Sequence, residues 1–535
     1  MHRGYSALRP VCVLMALAAL AASAQNLDEI GVTALSAVAP GVDGSGIRVA
    51  QPEAYNGDNG STNAWEVNPT NACPSTLFAY LSGLGSSTNF PNSVGDWSSH
   101  AEAVGNYFYG SSYGVATNVA HVNNYDANSY VTLDEFVLGP ITNWSCLLPG
   151  ADSGDMIVNQ SYIFGSVPSQ IPVAAQQAID SAYDNYATTN HTLFVSGAGN
   201  GGSVCPPSTC YNGLSVAAYN GGSSTGPTVD NGRCKPDITA SSLAGLTSFS
   251  TPLVSGAAAV LMQAGLRGDG GSDTNSAADI RTVKALLLNG AIKPANWTNS
   301  NSSPLDARYG AGVLNVFNAY EQLAGGKNIF CDSNSVAVGA AHPPLTDTNL
   351  VSAMSGWDLE NISSGATNGA VNHYRFNSAG GAVTVTLVWN RQLGKTNIND
   401  LDLFLLNAAS SNLVACSTSR VDNVEHLFVP QLAAGRYDLQ VLKNGGTNVV
   451  SDAETYALAW ALVAPTLSIA KSGTNAVLTW AVYPAGFRVE ATTNLLSPGW
   501  NTNQLSPPVI TNSMNSLILN ATNAQQFFRL RQPNF

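Results

Sequence analysis

Apolar and polar positions fall into two textures along this chain. From about residue 40 to 325, short apolar runs alternate with helical stretches of small and apolar residues, the order that a parallel sheet covered by helices requires. The pattern predicts strands at 47–50, 156–159 and 192–196, and helices at 99–109, 172–186, 252–265 and 277–289. After Gly325-Gly326-Lys327 the period drops to two. Residues 382–389, 400–405 and 436–442 alternate with one apolar face and are separated by Gly/Asn turns, as antiparallel strands do. That region ends near Ala464-Pro465. The remainder, 466–535, again reads as all-β, with Trp480, Phe487, Trp500, Phe527 and Phe528 available for a small core.

Length and composition agree with several units. A chain of 535 residues exceeds one core and divides as a leader (1–24), an α/β unit (25–326), a β-sandwich (327–465) and a small β module (466–535). Charged residues make up 10% and the net charge is −13, so no basic stripe exists to neutralise phosphates and nucleic acid is excluded as a partner. At the N-terminus, Arg3 and Arg9 precede an apolar stretch from residue 11 to 22, and Ala22-Ser23-Ala24 forms an Ala-x-Ala cleavage site. The stretch is short for a membrane span, and no later segment approaches eighteen consecutive apolar residues. The expectation is an exported protein that does not span the membrane.

Cleavage would remove Cys12 and leave Cys73, Cys146, Cys205, Cys210, Cys234, Cys331 and Cys416. In an oxidising compartment disulfides are the default, with one cysteine left over. Cys205 and Cys210 are spaced to close a small loop, or either to pair with Cys234. A zinc site from these three lacks a histidine at ligand spacing. Cys331 and Cys416, alone in the second region, are the expected pair there.

Candidate chemistry gathers at the ends of the predicted elements. Leu246-Thr-Ser-Phe-Ser-Thr-Pro252 places Ser248 at the mouth of an apolar helix, where unpartnered N–H groups and the helix dipole favour an oxyanion. Ser99-His-Ala-Glu-Ala-Val-Gly105 puts His100 in the first turn of another helix. Phe194-Val-Ser-Gly-Ala-Gly-Asn-Gly-Gly202 follows a buried strand and sets Asn200 among glycines. The strand from Ile47 ends in an acid, Glu53.

With Lys235-Pro-Asp-Ile-Thr-Ala240 and Tyr309-Gly-Ala-Gly-Val-Leu-Asn315, these segments resemble the subtilisin-like serine proteases, in that family's chain order of acid, His, Asn and Ser. The resemblance spans roughly 40–325. It implies a three-layer α/β fold with a mostly parallel sheet, peptide or protein substrates and no cofactor for the chemistry. It further implies Ser248 as nucleophile, His100 as base, Glu53 as the acid that orients it, and Asn200 with the Ser248 N–H as oxyanion donors.

The chain departs from the family pattern in three places. Glu53 stands where the family has aspartate, with Asp43 and Glu102 as the other acids to consider. Leu246 replaces a glycine before Thr-Ser. Only about twenty residues separate Gln25 from the first strand, too few for a folded inhibitory prodomain. Glu53 and Leu246 define a rival reading, an inactive scaffold acting as an extracellular binding or adhesion protein. A third reading, the Ser-Glu-Asp carboxyl peptidases, is disfavoured because His100 and Asn200 occupy positions those enzymes give to acids.

The second region resembles the jelly-roll-like β-sandwich domains that follow the catalytic domain in secreted bacterial subtilases. Its Asp400 and Asp402 share a strand face, with Asp452 and Glu454 as further oxygen donors, so a structural calcium is an expectation there; a solvated strand face is the alternative. The last unit is similar to small C-terminal β modules of secreted bacterial proteins, which implies a role in cell-surface attachment.

Overall fold

A computed structural model describes residues 26–55, 61–69, 74, 77–130, 154–164, 171–220, 222–241, 244–346, 355–447, 449–463, 466–481, 488–496, 499–501, 505–511, 514–520 and 525–531. The leader (1–24) with Cys12, and also Cys73, Cys146 and Phe487, lie outside the described residues.

The first unit is built on an eight-stranded sheet. Its strands are β1 (Arg48–Glu53), β2 (Phe78–Ser82), β3 (Gly85–Ser87), β4 (His121–Asp126), β5 (Ile157–Gln160), β6 (Leu193–Gly197), β7 (Leu214–Ala217) and β8 (Ile238–Thr239). They are ordered β8-β7-β6-β5-β1-β4-β2-β3, and only the β2–β3 edge pair is antiparallel. Every residue of β5, β6 and β7 is buried, so both sheet faces are covered, the three-layer arrangement of an α/β domain. The helices are α1 (Val32–Val38), α2 (Ser99–Phe108), α3 (Val173–Asn190), α4 (Thr247–Arg267), α5 (Ile280–Gly290) and α6 (Val316–Ala324). Helix α4 packs against β5, β6 and β7. Among the described residues it alone is long and apolar enough to cross a membrane, and 89% of that stretch is buried inside the protein.

Seven strands form the β-sandwich: β9 (Asp332–Ala337), β10 (Ser355–Ser363), β11 (Asn368–Trp389), β12 (Leu401–Asn407), β13 (Leu413–Ser417), β14 (Val424–Lys443) and β15 (Ala453–Val463). The order is β10-β15-β11-β14-β12-β13, with β9 beside the first half of β11. The 22-residue β11 shifts register at Gly381, beside Gly380 at φ +97°, and its halves pair with opposite ends of β14. Residues of both halves, among them Tyr374, Phe376, Val385 and Leu387, enter one core with Leu403, Leu439 and Trp460.

This sandwich is welded to the first unit. Trp357, Val388, Val424, Ala457 and Ala459 belong to the apolar core of the α/β unit. Asn212 reads the backbone of residue 391 in both directions, its amide N–H donating to the carbonyl (3.0 Å) and its Oδ1 accepting the N–H (2.8 Å). Asn289 Oδ1 accepts the hydroxyls of Thr384 and Thr386, each at 3.0 Å.

The last unit comprises β16 (Ser468–Ser472), β17 (Asn475–Ala481), β18 (Arg488–Thr492), β19 (Val509–Thr511), β20 (Met514–Asn520) and β21 (Phe527–Arg531). They form a four-stranded sheet, β16-β17-β20-β19, and a β18–β21 pair. Its core is Leu478, Trp480, Val489 and Leu517, with Phe528 at its margin, while Trp500 lies under the Arg529 guanidinium, 4.1 Å from the ring centre.

The expected Cys331–Cys416 disulfide is corrected. Cys331 donates its N–H to the His373 carbonyl on β11; His373 aligns with Gln440 on β14, Gln440 with Phe404 on β12, and Phe404 with Cys416 on β13. Three strands intervene, a span of about 19 Å at the usual strand spacing, far beyond disulfide reach. Both thiols are free, as are those of Cys205, Cys210 and Cys234. Burial pushes the Cys205 thiol up to about 11 and those of Cys210 and Cys234 up to about 12.

Candidate active site

Glu53 is the last residue of β1 and is 1% exposed. His100 sits at the second position of α2, whose start is capped by Ser98: its backbone is extended (φ −124°, ψ 125°) and its Oγ accepts the Ala101 N–H at 3.2 Å. The Ser98 N–H in turn donates to the Glu66 carbonyl (2.9 Å), tying the helix start to a neighbouring strand. This places His100 Nδ1 2.9 Å from Glu53 Oε2. A carboxylate can only accept, so Nδ1 carries the proton, and Nε2 of the neutral ring is the unprotonated nitrogen.

The other Glu53 oxygen is held as well. Gln51 lies two residues earlier on the strand, hence on the same face, and its Nε2 donates to Glu53 Oε1 (2.9 Å) and to the Ala101 carbonyl (2.9 Å). Its Oε1 accepts the Tyr109 hydroxyl. Gln51 and Tyr109 are fully buried. Glu66 is a different kind of acid: burial and the nearby Asp96 push its carboxyl up to about 7 against the Asn92 amide bond, and its Oε1 has no hydrogen-bond partner.

Ser248 is the second residue of α4, half-buried, where its N–H has no partner within the helix. The helix begins five residues before Pro252 and takes the proline into its interior. Pro252 cannot donate to the carbonyl four residues back, that of Ser248, and Ser161 Oγ supplies the missing bond at 2.9 Å. The Ser248 Oγ lies 3.4 Å from the Ser161 carbonyl. The following residue, Phe249, stacks obliquely between His100 and Tyr107, with ring centres 6.1 and 5.9 Å away, which draws the start of α4 to the imidazole.

Asn200 follows β6 on a loop of positive-φ glycines. Gly199 has φ +105°, and a Cβ there would stand 2.6 Å from Ser224 Oγ. The loop presents Asn200 to α4: its Oδ1 accepts the Thr247 N–H (2.9 Å) and hydroxyl (3.0 Å). An N–H can only donate, so these bonds identify the amide atom facing Thr247 as the oxygen, with Nδ2 on the other side of the amide.

A model of the subtilase family matches residues 17–312. The chain belongs to the subtilase family. Among curated proteins none matches it. Three solved structures are similar to this subtilase. The prenylagaramide maturation protease PagA is 20% identical, with 55% of this chain and 98% of that one covered, at a TM-score of 0.36. The S41 psychrophilic protease is 19% identical over 51% and 92%, at 0.32. Tripeptidyl peptidase 2 is 12% identical over 75% of this chain and 43% of that one, at 0.30.

The other expected acids lie elsewhere. Asp43 precedes β1, at the end of the strand opposite Glu53, and is held by Ser45 and Asn118. Glu102 accepts the Trp97 indole N–H. Asp400 and Asp402 do lie together at the start of β12. Burial pushes Asp402 up to about 7, with Asp400 adding to the rise, and Asn444 donates to it at 2.8 Å. Glu454 is committed to the amides of Gln392 (2.9 Å) and Asn399 (2.8 Å). Among the described residues no three His, Cys, Asp or Glu side chains converge on a metal position.

Proposed function

We propose that this subtilase is a secreted serine endopeptidase that cleaves peptide bonds of extracellular proteins through Ser248, His100 and Glu53. The observation that carries the reading is the 2.9 Å contact between His100 Nδ1 and Glu53 Oε2, which sets the imidazole in the tautomer a general base needs. Nε2 takes the Ser248 proton as Oγ adds to the scissile carbonyl. The developing oxyanion is met by the Ser248 N–H, at the helix start, and by Asn200 Nδ2. The imidazolium, stabilised by Glu53, then protonates the leaving amine, and water repeats the sequence on the acyl-enzyme. No cofactor enters these steps. Export rests on the leader pattern at 1–24, and surface attachment on the resemblance of 466–535 to β modules of secreted proteins.

A fluorophosphonate probe tests nucleophile activation without a known substrate. Wild-type protein is expected to be labelled and Ser248→Ala not, with unchanged circular dichroism. Equal labelling of both, or of neither, removes Ser248 from the mechanism.

A further inference from the structure

Glutamate carries one more rotatable bond than aspartate, so a glutamate in the acid position must be immobilised by something the family pattern does not supply. The described structure contains one such device. Gln51 Nε2 donates to Glu53 Oε1 at 2.9 Å, leaving Oε2 for His100. The glutamine cannot turn over. Its second N–H is spent on the Ala101 carbonyl, itself next in chain to His100, and its Oε1 accepts the Tyr109 hydroxyl. All three side chains, Gln51, Glu53 and Tyr109, are essentially without solvent contact. Each polar atom of the Gln51 amide is therefore matched, and the Glu53 carboxylate and the Ala101 carbonyl, which can only accept, fix which end is Nε2.

We propose that Gln51 is a positioning residue: it clamps the Glu53 carboxylate in the rotamer that meets His100 Nδ1, with Tyr109 locking the clamp. Resting on the proposed Ser248/His100/Glu53 site, the inference assigns that site a determinant beyond the family motif. The same amide also joins β1 to the start of α2 through Ala101, so it sets the separation of acid and base as well as the rotamer. Losing the clamp leaves a buried carboxylate oxygen unpaired and lets Glu53 rotate away from the imidazole, which weakens imidazolium stabilisation in the transition state and leaves substrate binding alone.

The test uses the full-length mature protein, with three variants checked for folding by circular dichroism. Gln51→Leu, close in size but without polar atoms, is expected to lower kcat by about tenfold to a hundredfold, the worth of one hydrogen bond to a charged group, with KM unchanged. Gln51→Glu retains the shape. Its acid form donates to Glu53 and its ionised form repels it, so activity is expected to fall with rising pH along a limb absent from wild type. Tyr109→Phe, which keeps the ring and its packing, is expected to cost a few-fold in kcat. The low-field proton resonance of His100 Nδ1–H provides a readout that needs no turnover, and it is expected to shift upfield or broaden in Gln51→Leu. An unshifted resonance and kcat within twofold of wild type in folded Gln51→Leu would overturn the clamp. A wild-type protein that shows the resonance and its Gln51 dependence but is not labelled by the fluorophosphonate probe refutes the protease reading while leaving the clamp standing.

Discussion

Replacing Glu53 by glutamine changes one oxygen to NH₂, and the surroundings decide which one. Gln51 Nε2 presents an N–H to the inner atom of residue 53 and is held from inverting by the Ala101 carbonyl, which can only accept. The inner atom must therefore be the new amide oxygen, and the NH₂ faces His100 Nδ1. That nitrogen must then accept, which moves the ring proton to Nε2 and removes the base that Ser248 requires. Regaining the productive tautomer opposes two N–H groups in a buried site, at about 1–3 kcal/mol for the unsatisfied donor, and the lost charged hydrogen bond adds about 1.5–3 kcal/mol. The sum, about 2.5–6 kcal/mol, corresponds to a fall in kcat between roughly 10² and 10⁴, and its upper end matches the loss of about 10⁴ when an amide occupies this role in a serine protease. Steady-state kinetics on a peptide substrate, with KM expected to hold, measure it. Glu53→Asp should be milder, since a side chain shorter by about 1.5 Å reaches His100 or Gln51 but not both. More than a tenth of wild-type kcat in Glu53→Gln would refute the reasoning, because Asp43 and Glu102 are engaged elsewhere and no other acid would account for the activity.

Asn200→Ala is expected to lower kcat by about 10²- to 10³-fold at constant KM, and a defect confined to KM would assign the amide to substrate positioning instead. Thermal unfolding should show stability falling as pH rises from 5 to 8: the Glu66 carboxyl, ordinarily at 4.5, is raised to about 7 in the fold, so its proton stabilises the native state fully below 4.5 and is lost through 7. This interval is worth on the order of 3 kcal/mol, and an unchanged pH slope in Glu66→Gln would count against it. A non-reduced digest should yield Cys331 and Cys416 in unlinked peptides; a linked pair would contradict the strand order. Truncation after residue 326 should give a protein that aggregates or melts well below full length, since it bares the α5 face that holds Thr384 and Thr386; equal melting temperatures would show the α/β unit to be autonomous.

The sequence is a good guide to which side chains stand at the ends of elements. The places of Glu53, His100, Asn200 and Ser248 at a strand end, two helix starts and a glycine loop were legible because such places are marked by local residue types. Gln51 was not, since nothing local says whether a buried glutamine on a strand meets a carboxylate or a carbonyl; only the shared face with Glu53, two residues on, was available as a signal. The start of α4 was placed too late because Pro252 reads as a first-turn residue, whereas a side chain 87 positions away in sequence serves the carbonyl that proline leaves open. The strand expected at 382–389 is only the second half of a longer one, Asn368–Trp389, which continues through Gly380-Gly381 with a shift of register. The disulfide expectation failed for a topological reason: two cysteines in one domain can still sit on opposite flanks of its sheet.

Glu53 and Leu246, weighed singly, look like damage to a subtilase site, and the structure accommodates them by different means. Leu246 is the cap residue before α4, with φ −130° and ψ 147°, an extended backbone open to any L-residue, and its side chain is 45% exposed. Glycine's conformational freedom is therefore not needed at this turn, and Ser248 keeps its helix-start position and its bond from Ser161. At residue 53 the backbone solves nothing, because the extra methylene adds a rotamer rather than a strain. The solution there is a partner, Gln51, placed by the strand's period of two and held by the very helix that carries His100. An inert scaffold would gain nothing from a buried amide whose every polar atom is committed to aiming one carboxylate. A chain that transfers a proton at His100 would.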